Sequence, residues 1–175
     1  DIDALDAAIV AKTKLVAITH MSNVLGTVTP LKEIVARAHA KGVAVLADGC
    51  QGAVHESVDV QALDVDFYVV TGHKLYGPTG IGALYAKRKH LKGLRPFNGG
   101  GEMIREVTRN IVTYADPPAR FEAGTPPIVE AVGLAAAVDY LCAFDRAAIA
   151  AHEHDLLTYA RERLRALNWV RVIGD

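Results

Sequence analysis

Two short apolar runs with a helix-patterned segment between them set what this chain can become. Leu15-Val16-Ala17-Ile18-Thr19 and Val43-Ala44-Val45-Leu46-Ala47 are too evenly apolar for strands wet on one face, so both read as strands buried on both faces. Between them Thr29 stands where a helix cap belongs, with Pro30 at the first helical position. Leu31, Ile34, Val35 and Ala38 then recur at helical spacing, and Gly42 ends the pattern. Strand, helix, strand with short connections is a βαβ unit, hence a parallel pair with a right-handed crossover. A third run, Phe67-Tyr68-Val69-Val70, and a fourth, from Ile81 to Tyr85, extend the sheet on either side of a tight turn. The fold class predicted is α/β, a mostly parallel sheet flanked by helices. Ligands of such sheets gather outside the carboxyl ends of the strands, and both Asn23 and Asp48 lie there.

Composition serves mainly to exclude. The chain has 175 residues, enough to bury roughly 70% of its extended surface. A formal net charge of -1 gives no electrostatic reason to expect a nucleic acid partner. No apolar run approaches the roughly 20 residues of a membrane helix, and no charged-then-apolar leader opens the sequence. Cys50 and Cys142 lie in different elements and read as reduced cytosolic thiols rather than a disulfide framework. The sequence starts without Met and stops at the strand-like alternation Val170-Arg171-Val172-Ile173-Gly174-Asp175, so it reads as a piece of a longer protein.

Around the sheet the remaining segments have their own patterns. Asp3 is placed to cap an opening helix with Leu5, Ala8 and Ile9 on one face. Residues 49–65 wind back through Val58, Val60 and Leu63, and residues 87–92 form a basic stretch expected to be solvated. Asn98-Gly99-Gly100-Gly101-Glu102 is a flexible loop; its glycines are able to cradle a phosphate, but no strand feeds it directly. Beyond the break at Pro117-Pro118, a helix over 128–143 is apolar almost all round, which predicts burial. Asp145 then caps an amphipathic helix carrying Ile149, Leu156, Tyr159 and Leu167. His152 and His154, two apart on that helix, point different ways and make no zinc pair; no metal site is expected.

The chemistry concentrates at two strand ends. Lys74 sits in Thr71-Gly72-His73-Lys74-Leu75-Tyr76-Gly77-Pro78-Thr79-Gly80, a corner where rigid elements hold a side chain in place. A lysine there is either a surface charge or a nucleophilic amine able to form a Schiff base. Asp48, directly after an apolar strand, is either a loop cap or the acidic partner of the ring nitrogen of pyridoxal phosphate. Two unit charges 4 Å apart interact by about 4 kcal/mol at an effective dielectric of 20, against about 1 kcal/mol for a neutral hydrogen bond. A carboxylate therefore holds such a ring protonated where an amide does not. Gln51, three residues on, is placed to reach the ring's phenolic oxygen, and the Thr71 hydroxyl and His73 imidazole with free turn amides make an anion site.

Taken together, His20-Met21-Ser22-Asn23-Val24-Leu25-Gly26-Thr27, Asp48-Gly49-Cys50-Gln51, the Lys74 turn and Arg120-Phe121-Glu122-Ala123-Gly124-Thr125-Pro126 resemble a cysteine desulfurase. More closely, they resemble the sulfur-mobilisation (SUF) subgroup of the class V aminotransferases, which are pyridoxal phosphate enzymes of fold type I. The resemblance runs essentially from end to end. It implies that residues 1–167 belong to the large cofactor domain, with its N-terminal part missing, and that 168–175 begin the small C-terminal domain. It further implies that Lys74 carries pyridoxal 5'-phosphate and shuttles protons, Asp48 pairs the ring nitrogen and Gln51 contacts the phenolic oxygen. Thr71, where the family usually has serine, and His73 hold the phosphate. Asn23 contacts the substrate carboxylate, and Gly124 and Thr125 reach the phosphate of a neighbouring subunit, hence a homodimer. The implied activity is conversion of L-cysteine to L-alanine in the cytoplasm, with persulfide sulfur passed to an acceptor protein for iron-sulfur cluster assembly. The family's nucleophilic cysteine lies downstream of the matched region. Cys50 stands where the family usually has alanine, so it reads as a small buried thiol, and Cys142 as packing. A selenocysteine lyase, a cysteine sulfinate desulfinase or another class V enzyme fits the same residues, as does a non-catalytic binding or dimerisation module.

Overall fold

The computed structural model describes residues 2–174. Helix α1, Ile2–Ala8, leads to strand β1, Leu15–Thr19, then to helix α2, Leu31–Ala40, and strand β2, Ala44–Asp48. After a four-residue helix α3, Gly52–His55, strand β3, Phe67–Thr71, ends in a 3-10 turn, Gly72–Leu75, that hands the chain to strand β4, Gly82–Ala86. The four strands lie side by side in sequence order. β1, β2 and β3 are parallel, with Thr19 opposite Asp48 and Asp48 opposite Val69; β4 returns antiparallel, Thr71 opposite Gly82. The predicted α/β architecture is therefore what the residues form.

The core lies between this sheet and the first two helices. Leu31, Val35 and Ala38 of α2 are buried against Val43, Val45, Ala47, Val65 and Tyr68, with Ile9 closing the end. All four residues predicted for the apolar face of α2 are buried. At about 25 cal/mol per Å² of apolar surface, each such aliphatic side chain contributes roughly 1.5–3 kcal/mol. Two local expectations fail for traceable reasons. Thr29 does not cap α2: its hydroxyl donates instead to the carbonyl oxygens of Thr19 (2.9 Å) and His20 (3.2 Å), tying the helix start to the end of β1. Asp3 is in the first turn of α1 rather than before it. Strand β1 is also not buried on both faces, because it is the sheet's edge; Leu15 is 43% exposed.

The second half of the chain is more open. Helix α4, Arg88–Leu91, leads to a separate hairpin of β5, Ile104–Val107, and β6, Val112–Tyr114. Helices α5, Ile128–Cys142, and α6, Arg146–Arg165, follow. Asp145 caps α6 as predicted, accepting from the Ala147 N–H at 2.9 Å. The prediction that α5 is buried is wrong. Only Ala137 is enclosed, while Val129 and Val132 are 81% and 68% exposed, since α5 meets the turn after β3 on one side and nothing covers its other faces among the described residues. Likewise Cys142 is exposed rather than packed, and residues 170–174 form no strand.

The basic stretch at 87–92 is not simply solvated. It turns toward Asp66, a fully buried carboxylate just before β3. His90 Nε2 lies 2.7 Å from one oxygen; His39 Nε2, at 2.7 Å, and the Val45 N–H, at 2.9 Å, meet the other. Lys89 and Lys87 stand 3.3 and 3.7 Å away. Burial alone would push this carboxyl up, but the hydrogen bonds from His39, His90, Val45 and Lys89 outweigh it and hold the group well below the usual carboxylate range. The cluster ties α2, β2 and the α4 region together at the amino ends of the strands, away from Asp48 and Thr71.

Candidate functional site

At the opposite ends of the strands, sheet register does most of the positioning. Because β2 and β3 run parallel, Asp48 and Thr71 both fall at carboxyl ends, and the His73-Lys74 pair follows within one turn. The turn is rigid. The Gly72 N–H donates to the Ile81 carbonyl at 2.8 Å, and the Gly77 N–H to the Gly72 carbonyl at 3.0 Å. A methyl group at Gly72 would sit 2.8 Å from Ile81 Cγ2 and 3.0 Å from its carbonyl oxygen, so the close crossing of the two strands requires glycine there. Tyr76 completes the turn in the left-handed conformation, φ 61°. Lys74 is half-buried on this frame, and Thr71 Oγ1 and His73 Nδ1 lie 3.0 Å apart beside it.

Asp48 is exposed, yet it is a held carboxylate. Oδ1 accepts the Cys50 N–H at 3.0 Å. That bond, the adjacent Cys50 side chain and, least, the positive charge of Lys74 keep the carboxyl below its ordinary range despite partial burial. The lysine and the carboxylate thus stand at the ends of adjacent strands, the charge of the amine adding the smallest of the effects on the carboxyl. Gln51 directly precedes α3 in the same turn. Asn23 is exposed in the turn that leaves β1, where the Ser22 hydroxyl accepts from the Val24 and Leu25 N–H groups. Gly124 and Thr125 are not brought into this group. They line a separate hollow of about 280 Å³ with Glu102, Ala119, Glu122 and Pro126. The glycine loop packs behind them, Gly124 N–H donating to the Gly101 carbonyl at 3.0 Å.

Three residues of this region escape sequence reasoning. His20 and Tyr68, both buried, are joined by a 2.8 Å bond between His20 Nδ1 and the phenol oxygen. Burial keeps the imidazole's pKa below its ordinary value, with Glu56 acting weakly the other way. The Tyr68 ring lies directly under Gly49: a methyl there would fall 2.0 Å from Cε1. The Asp48–Gln51 turn therefore rests flat on an aromatic floor. The third is Cys50. Burial, then Asp48, raises its thiol pKa, opposed by the charge of Lys74 and by the nearby Thr71 main-chain amide. An aspartate with a turn amide two residues on is a legible pattern; which side chain lies beneath a strand-end glycine is not. His55, at the end of α3, has its Nδ1 3.1 Å from Glu153 Oε1 of α6.

The arrangement offers an amine, an ionised carboxylate, a hydroxyl–imidazole pair and an amide at one end of a sheet. Comparison with known proteins gives these groups a context. The family model for class-V aminotransferases matches residues 1–175. The cysteine desulfurase of Dickeya dadantii (strain 3937) is 53% identical over 175 residues, covering 99% of this chain and 42% of that protein. The apo structure of a cysteine desulfurase from Thermococcus onnurineus NA1 superposes with a TM-score of 0.89 at 36% identity, over 95% of this chain and 42% of that one. The cystine C-S lyase C-DES, solved with its product cysteine persulfide, has a TM-score of 0.72 at 34% identity, over 79% of this chain and 38% of its own. A C-DES mutant has been solved with glycine covalently linked to its PLP cofactor. The chain thus spans about 42% of the length of the curated relative it matches.

Proposed function

The chain belongs to the class-V aminotransferase family, and from that premise we propose that it forms the central part of a pyridoxal-phosphate-dependent cysteine desulfurase. The observation that carries this reading is the gathering of Asp48, Gln51, Thr71, His73 and Lys74 at the carboxyl ends of β2 and β3, with Asp48 held by the Cys50 N–H and Thr71 Oγ1 3.0 Å from His73 Nδ1. The donor set fits the cofactor group by group. An unprotonated carboxylate suits a protonated ring nitrogen, a held amine suits an aldehyde, and a hydroxyl beside an imidazole suits a phosphate. When bound, pyridoxal phosphate supplies an aldehyde that condenses with amines and a ring that draws electrons from the substrate's α-carbon.

Each residue then has one task. Lys74 would hold the cofactor's aldehyde, and its amine would serve as the base for the substrate's α-proton. Asp48 keeps the ring nitrogen protonated. Gln51 steadies the phenolic oxygen, Thr71 and His73 hold the phosphate, and Asn23 binds the substrate carboxylate. Gly124 and Thr125, which stand apart from Lys74 in their own chain, are assigned to the phosphate of a second copy in a homodimer. In this reading residues 1–167 are large-domain sequence and 168–175 start the small domain. The substrate is L-cysteine, the products are L-alanine and an enzyme persulfide, and the sulfur passes to an acceptor protein serving iron-sulfur assembly in the cytoplasm.

Similarity to C-DES supports a second reading, β-elimination at sulfur. The products separate the two: desulfuration leaves alanine, elimination leaves pyruvate and ammonia. The test of the site itself is to add pyridoxal phosphate to the intact protein, reduce with borohydride and map the modified peptide. The label is expected on Lys74. A label on Lys87, Lys89 or Lys92 with Lys74 unmodified overturns the assignment.

A further inference from the structure

Beneath the Asp48 turn lies a buried polar pair to which the reading above gives no task. We propose that His20 and Tyr68 are positioning residues: bonded to each other at 2.8 Å, they form the seat on which Gly49 and Gly52 rest, and so set where Asp48 and Gln51 stand over the sheet. This deepens the proposed function and rests on it where it concerns the cofactor.

The seat has two points. Gly49 and Gly52 bracket Cys50 and Gln51, and both glycines are buried. A methyl at Gly49 would fall 2.0 Å from Tyr68 Cε1, and one at Gly52 would fall 2.4 Å from His20 Nδ1, the atom that meets the phenol oxygen. Each end of the turn therefore rests on one ring of the pair, at a distance that only a residue without Cβ permits. The residues that carry the site's chemistry stay accessible: Asp48 is exposed and Gln51 half-buried. Main-chain bonds hold the turn along the sheet, the His20 N–H donating to the Asp48 carbonyl at 2.8 Å and the Gly49 N–H to the Val69 carbonyl at 2.9 Å. They do not fix how far the turn stands off the sheet's face; the two rings do. Space-filling alone would need no polar atoms there. What the hydrogen bond adds is a fixed spacing between the rings, which meet edge to face, because breaking it strands a buried polar atom. Burial also keeps both groups uncharged, lowering the pKa of the imidazole and raising that of the phenol, so the pair sets position without competing with Asp48 for charge. The chain carries its own control. Asp59 Oδ1 accepts the Gln61 N–H at 2.8 Å, the same aspartate–amide turn, but with both residues exposed.

The experiment uses the intact protein with Tyr68→Phe, which keeps the ring and removes the hydroxyl, with His20→Leu, and with both together. In the cofactor-free form, hydrogen exchange of the Cys50 amide, which donates to Asp48 Oδ1, is followed by NMR. It is expected to speed up about tenfold in each single variant while the Gln61 amide keeps its rate. The double variant separates positioning from stability. It leaves no buried polar atom stranded, so its denaturant midpoint is expected to return close to the parent's while the Cys50 amide stays fast. With pyridoxal phosphate added, its dissociation constant is expected to be about tenfold higher in the single and double variants alike. An unchanged Cys50 rate in Tyr68→Phe overturns the proposal. So does recovery of that rate together with the midpoint in the double variant, which would make the pair structural only. Where Lys74 takes the borohydride label, faster exchange with unchanged cofactor affinity overturns it as well. Should the variants not fold, the unmutated protein decides. Its Cys50 amide is expected to exchange at least about tenfold more slowly than that of Gln61 once intrinsic rates are allowed for; equal rates overturn the proposal. If exchange behaves as expected while Lys74 takes no label, the cofactor assignment fails and the seat beneath Asp48 stands.

Discussion

Asp48 acts as a held charge, and the strength of that charge decides what substitution does. Replacing it by asparagine leaves a hydrogen-bonding group of the same size but no negative charge. The difference between an ion pair at about 4 kcal/mol and a neutral bond at about 1 kcal/mol corresponds to about two orders of magnitude in rate. We therefore expect Asp48→Asn to retain the borohydride-reducible link at Lys74 while exchange of the substrate α-proton with labelled solvent slows about a hundredfold. Exchange at the parental rate would mean that Asp48 serves only to cap its turn. Asp48 and Lys74 were legible from the sequence because each follows an apolar run that can only be a strand, and side chains at such ends face the ligand side of the sheet. The His20–Tyr68 pair was not, because its members stand 48 positions apart and meet only through the fold.

Among the elements, α2 and the first three strands were readable because a single period decides each of them. Helix α5 was not, since uniform apolarity states that a helix can be covered but not by what. The Asp66 cluster was hidden for another reason. Its partners His39 and His90 sit 27 and 24 residues away, and no local pattern marks a carboxylate between Val65 and Phe67 as paired. Its loss has a definite cost. Asp66→Asn is expected to destabilise the fold by about 3 kcal/mol at neutral pH, the low end for breaking a buried pair because both imidazoles are partly exposed. The sign with pH follows from a folded-state pKa held below the unfolded one. The contribution of Asp66 is complete above the unfolded value of about 3.9 and disappears as pH falls below it toward the folded value. Denaturant titrations of parent and variant should differ constantly from neutrality to about pH 4 and converge below. A gap unchanged at lower pH would contradict this.

For the molecule as a whole, the proposed function carries the expectation that these 175 residues alone do not turn cysteine over. Cys50 is half-buried beside Asp48, and Cys142 is exposed at the end of α5, in a hollow that also takes in Val70 and Leu75. The proposed function assigns neither of them as sulfur acceptor. The isolated chain is expected to release no alanine or sulfide from cysteine with a reductant present, under conditions where the full-length form turns over. Comparable turnover would identify one of these two thiols as the acceptor and overturn the transfer of the family chemistry to this chain. The exposed Val129, Val132, Tyr140 and Trp169 make self-association of the isolated chain the accompanying expectation, visible in its sedimentation.

The aromatic floor beneath the Asp48 turn also constrains the history open to this sequence. With Tyr68 Cε1 only 2.0 Å from where a methyl at position 49 would be, a side chain at 49 and a tyrosine at 68 exclude one another in this backbone. A lineage that gains any side chain at 49 has to shed the phenol at 68 first, and one that keeps the phenol stays at glycine. The two positions form a single heritable unit, although one follows β2 and the other lies within β3 and neither carries a reacting atom.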